Sequence, residues 1–119
     1  MRKFCFALAA IVLAATPALA VNESVMATRY GNTEIVTTTL GEGRVWFNAD
    51  HTFSGKGNAL IFHSGFKGTW KISGDNICLT YEDPPPGESN PSCAPIEAHV
   101  IGDSWDSDGR KITLVKGIQ

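Results

Sequence analysis

The chain has 119 residues, with 10 Lys and Arg against 12 Asp and Glu and a formal charge of −2. At 43% hydrophobic and 18% charged residues it has the make-up of a folded globular chain rather than a disordered one, and its length accommodates one domain. Mildly acidic, with scattered charges, it lacks the basic footprint that binding to nucleic acid or to an anionic membrane requires.

Residues 1–20 read as a secretory signal peptide. Arg2 and Lys3 form a short basic region, an apolar run follows over residues 4–16, and Ala18-Leu19-Ala20 after Pro17 is a small-x-small cleavage site. The apolar run is shorter than the roughly 20 residues that span a bilayer, so a retained anchor is not expected. Cys5 lies inside this segment and not at the cleavage site, so no lipid anchor is expected either. The expectation is a periplasmic or secreted protein whose residues 21–119 form a single β domain.

Two cysteines remain after cleavage, Cys78 and Cys93. An even pair in an exported chain reads as a disulfide. At this spacing, with no histidine beside them, they match neither a zinc site nor a redox pair.

The polar start VNESVMATRYGN is followed by short segments rich in β-branched and aromatic residues. The predicted strands are residues 33–40 (TEIVTTTL), 44–48 (RVWFN), 52–56, 59–63 (ALIFH), 66–72 (FKGTWKI), 77–81 (ICLTY), 96–101 and 111–115. No window outside the signal segment has helical periodicity. About eight short strands joined by successive turns predict a small antiparallel up-and-down β barrel, with a β-sandwich as the alternative. In the hairpin GTWKISGDNICLTYE, alternation places Trp70, Ile72, Ile77, Leu79 and Tyr81 inside and Cys78 outside. The following loop, EDPPPGESNPS, carries four prolines and cannot pair into a sheet.

Candidate chemistry is sparse. GDSWDSDG, residues 102–109, has the letters of an esterase serine motif, but Ser104 sits near the end of a β chain with no α/β alternation around it. As a calcium loop it would place Val115 where a bidentate glutamate is needed. It reads instead as a strand end followed by an Asp-Gly hairpin turn. His51, His63 and His99 show no ligand spacing, and the carboxylates show no convergence, so neither a catalytic set, a metal nor a cofactor is expected. The aromatic residues are the remaining candidates. Trp46, Phe62, Trp70, Tyr81 and Trp105 are predicted to line the interior, where an eight-stranded barrel holds side chains or one small ligand. Trp46 and Phe47 are adjacent, so only one of them faces inward.

The run VWFNADHTFSGKG, with GFKGTWKISGDNICLTYEDPPPGESNPSCAPI and GDSWDSDGRKITLVKG after it, resembles small exported domains of uncharacterised function common in alphaproteobacteria. Phe47-Asn48, Asp50, Thr52, Gly68, Trp70, Cys78, Cys93, Gly102, Asp103 and Trp105 carry the resemblance, and His51 stands where that pattern usually has glycine. A thinner similarity links the chain to calycin-type barrels, including periplasmic inhibitors of secreted metalloproteases, which insert an N-terminal segment into the protease cleft. These likenesses imply a fold more than an activity. The expected function is non-enzymatic binding. Either a small apolar ligand sits in an aromatic-lined cavity of ~300 Å³ or more, or an exported protein is bound through residues 21–32 and the proline-rich loop.

Overall fold

The computed structural model describes residues 22–57, 65–84, 87 and 89–119. The expected signal segment and the predicted strand at 59–63, with Phe62 and His63, lie outside the described residues. Among the described residues, eight antiparallel strands form one sheet that curls into a nearly closed barrel, so the barrel expectation holds and the sandwich does not. In chain order they are β1 (Thr33–Thr38), β2 (Gly41–Phe47), β3 (Thr52–Gly57), β4 (Phe66–Ser73), β5 (Asn76–Tyr81), β6 (Ser92–Pro95), β7 (Ser104–Ser107) and β8 (Arg110–Val115). The order across the sheet is β6-β5-β4-β3-β2-β1-β8-β7, which leaves the four-residue strands β6 and β7 as its two edges.

The period-2 alternation of the sequence explains which face turns inward. On β4, Phe66, Gly68 and Trp70 are buried while Lys67, Thr69 and Lys71 are exposed. The register places Phe53 opposite Gly68 and Phe66 opposite Gly55. A side chain at Gly55 would strike the Phe66 ring, and one at Gly68 would strike the Thr80 backbone, so the first glycine makes room for a phenylalanine and the second for the close approach of the next strand. Phe47, Phe53, Phe66, Trp70, Ile77 and Tyr81 then form one core cluster, with the Tyr81 ring edge-on to Phe53 at 5.3 Å. Ile72 and Leu79, predicted inside, are partly buried against the cluster.

The Cys78–Cys93 disulfide is present. The two cysteines are direct cross-strand partners of β5 and β6. Asn90 closes the loop before β6, accepting from Tyr81 N at 2.9 Å and donating to Tyr81 O at 3.1 Å, much as a neighbouring strand would.

Four elements differ from the sequence reading, one of them the short strand β6, which no predicted strand covers. Residues 23–29 form a 3-10 helix capped by Asn22, whose side chain accepts from Ser24 N at 2.8 Å. Met26 and Arg29 of this helix are buried at 0% and 2%, so the N-terminal segment is a core element and not a free arm. Residues 96–101, predicted as a strand, are irregular: Pro95 ends β6, and Val100 and Ile101 are exposed. The strand signal further on is carried by β7 instead, within GDSWDSDG. Asp108 and Gly109, at φ of 53° and 80°, form the expected Asp-Gly hairpin turn into β8.

Candidate functional site

The aromatic cluster fills part of the barrel interior. Against it lies a cavity of about 140 Å³, which Phe47, Phe66, Ile77 and Tyr81 of that cluster also border. Its wall combines Val36, Val45, Leu79 and Ile112 with the rings of Phe47 and Trp105. Ser92–Pro95 on β6 and Trp105 and Ser107 on β7 also line it, so the space lies against the seam where the two edge strands fail to pair. It is smaller than the cavity the aromatic content suggested, because Phe53, Phe66 and Tyr81 pack on one another and Trp70 stacks with His51 and Tyr30. It matches the size of a cavity that takes a single benzene ring, roughly 150 Å³.

A buried ion pair forms part of that wall. The Arg29 guanidinium donates from Nε to Glu34 Oε2 at 2.8 Å, with side-chain exposures of 1% and 10%. Its other nitrogens bond Val25 O at 2.9 Å and Glu97 O at 3.2 Å, tying the helix to the segment after β6. Glu34 reaches the interior because β1 alternates and Val36 lies on the same side. Burial raises the Glu34 carboxyl above its ordinary value, against the opposing pull of Arg29 and the neighbouring His99. The second oxygen, Oε1, takes no hydrogen bond among the described residues, and the carboxylate borders the cavity.

Beside this pair sits a second group. The His99 ring stacks on Trp105 at 3.5 Å and 5° between planes, and Arg29 Cζ lies 5.6 Å from the Trp105 ring. His99 Nδ1 is 3.2 Å from Asp103 Oδ2, while Nε2 is buried without a partner among the described residues. Asp103 also accepts from Val100 N at 3.0 Å. That bond first, and His99 second, hold its carboxyl below the ordinary range. Thr28 Oγ1 donates to His99 O, so the histidine is fixed from both sides.

The residues read as ligand-binding from sequence do not all meet here. Tyr81 and Trp105 line the cavity. Trp70 lies in the filled part, 2% exposed, with Nε1 donating to Asn48 O at 3.0 Å. Trp46 is on the outer face, because its neighbours Val45 and Phe47 point inward; its Nε1 donates to Thr33 Oγ1 at 3.0 Å. The C-terminal tail bonds the same hydroxyl, which donates to Gly117 O at 2.7 Å and accepts from Gln119 N at 2.9 Å. Phe62 lies outside the described residues.

His51 is placed apart, in the β2–β3 turn at φ 72°. Its ring stacks on Trp70 at 4.2 Å and Nε2 meets Glu23 at 3.0 Å. Tyr30 stacks on the same tryptophan at 6.4 Å, and burial together with the nearby Glu23 pushes its hydroxyl up.

Sequence reading missed Arg29 and Glu34. The available signal was the inward parity shared by Glu34 and Val36, but Ile35 and Thr37 on the opposite parity gave an equally good apolar stripe. Among the described residues no group of three or more His, Cys, Asp or Glu is placed to hold a metal ion, and no helix is long and apolar enough to cross a membrane. Comparison with protein families, with characterised proteins and with solved structures finds no match to this chain.

Proposed function

We propose that this chain is an exported, non-enzymatic binding domain that takes a small, mostly apolar ligand into the barrel interior through the β6–β7 seam. The observation that carries this reading is the cavity of about 140 Å³, bounded by aliphatic and aromatic side chains yet containing a buried Arg29–Glu34 pair. Ligand sites combine such an apolar wall with a few placed polar groups. Export is supported by the signal-like residues 1–20 and agrees with a disulfide, a bond that persists in oxidising compartments. Binding to a protein through residues 21–32 and the proline-rich loop ranks second, because Met26 and Arg29 are committed to the core.

A titration with single-ring compounds, followed by NMR shifts of the Trp105 indole and the Ile112 methyls, tests the reading. Saturable binding is expected in the wild type. Val45→Phe, which puts a larger side chain into the cavity wall, is expected to abolish it with the melting transition still cooperative. No saturation by any single-ring compound at millimolar concentration would count against it.

A further inference from the structure

We infer that the cavity selects a single aromatic ring bearing one neutral hydrogen-bond donor, a phenol in chemical class, whose hydroxyl donates to Glu34 Oε1. This rests on the binding reading above and sharpens it. Volume limits the ligand first: about 140 Å³ holds one six-membered ring and little more. The rings of Phe47 and Trp105 and the side chains of Val36 and Ile112 supply faces and edges for it to pack on.

Charge limits the ligand next. The charged residues that line the cavity are Arg29, Glu34, Asp108 and Arg110, two of each sign, and Arg29 already holds Glu34 at 2.8 Å, so the lining presents no net charge. An anionic ligand meets the Glu34 carboxylate, and a cationic one meets the Arg29 guanidinium, since both residues line the cavity. Either ion would be stripped of water against a lining that carries both signs, so attraction to one group is offset by repulsion from its neighbour. A purely apolar ring avoids that cost but seals Glu34 Oε1 away from water with no donor, since Arg29 Nε bonds only Oε2. A neutral O–H satisfies Oε1 and keeps the remainder of the ligand against apolar wall. Hydrogen bonds to a charged acceptor are the stronger kind, which sets the expected preference at about tenfold or more.

The test compares phenol with benzene, which are nearly equal in size, by NMR titration of the purified protein near neutral pH. Phenol is expected to bind at least ~10-fold more tightly than benzene. The double variant Arg29→Leu/Glu34→Leu is expected to lose the preference for phenol over benzene; a thermal melt establishes that it is folded. Should it unfold, Glu34→Gln provides the second arm, with the phenol preference reduced because a neutral amide oxygen accepts more weakly than a carboxylate. Benzene binding as tightly as phenol in the wild type overturns the inference and leaves the binding reading standing. Failure of both rings to bind overturns the two together.

Discussion

Two histidine–tryptophan stacks stand at different places in this barrel, and they differ in what lies beneath them. His51 covers Trp70 and His99 covers Trp105, each histidine held by a carboxylate, Glu23 at 3.0 Å and Asp103 at 3.2 Å. Trp70 belongs to a filled aromatic cluster, and its indole N–H is satisfied by Asn48 O. Trp105 borders the cavity beside a buried ion pair, and the histidine on it keeps Nε2 buried without a partner among the described residues. The same motif therefore seals a core in one place and lines an unfilled space in the other. Ring packing is concentrated in the first region, and the buried nitrogen without a partner among the described residues lies in the second.

Truncating each tryptophan is the strongest way to break this contrast. Trp70→Ala removes the centre of the filled part and is expected to cost about 3–5 kcal/mol, the range for a large aromatic deleted from a core. Trp105 is half-buried and already faces empty space, so Trp105→Ala is expected to cost roughly 1–2 kcal/mol. Denaturant titrations of both variants measure the difference. Equal losses would mean that the two regions are equally well packed.

The ion pair provides the next test. Arg29→Met leaves Glu34 as an unpaired buried carboxylate and is expected to cost about 3 kcal/mol at neutral pH. Much of that loss should vanish in acid, where the carboxyl takes up a proton. The wild type carries a weaker form of the same slope. Burial raises the folded-state Glu34 value above the unfolded one, so its contribution is complete below the unfolded value and lost as pH rises through the folded value. Asp103 and Asp50 run the other way. Hydrogen bonds hold them low, chiefly from Val100 N and from the Thr52 hydroxyl respectively, so their contributions are present above the unfolded value and lost as pH falls through the folded one. Denaturation midpoints across the acid range for wild type and Glu34→Gln separate the two. The variant should lose only the component that falls with rising pH.

The filled part was largely legible in the sequence, and the reason is local. Trp70, Ile77 and Tyr81 lie on strands joined by a Gly-Asp turn, and alternation alone assigns their inward face, where Ile77 and Tyr81 also border the cavity. The disulfide followed from cysteine parity, and the Asp108-Gly109 turn from its residue pair. The ion pair and the His99–Trp105 stack beside the cavity were not legible, because their residues meet only after distant segments converge. Arg29 reaches Glu34 and Glu97 O because a helix that shows no amphipathic period in the sequence folds under the barrel. His99 and Trp105 meet because residues 96–101 do not form the strand their alternation suggested; Val100 and Asp103 make a side-chain-capped turn instead. Trp46 shows the limit of parity itself. With Phe47 beside it, either ring was an acceptable inward residue, and the register with Phe53 decided.

His51 offers the smallest and most specific test, because backbone and side chain there make opposing contributions. At φ 72° the residue sits in the left-handed region, which costs a non-glycine residue roughly 1–2 kcal/mol. The stack on Trp70 at 4.2 Å and the bond to Glu23 at 3.0 Å oppose that cost. The backbone contact His51 O to Trp70 N, 2.8 Å, does not depend on the side chain and survives substitution. His51→Gly loses the stack and the strain together, so the net change is expected to stay within about 1 kcal/mol of wild type. His51→Ala loses the stack and keeps the strain, which places it about 1 kcal/mol below the glycine variant. Thermal melts of the two variants measure the gap. A gap near zero would mean that the turn relaxes when the ring is removed, so that the ring's hold on Trp70 is what imposes the left-handed backbone.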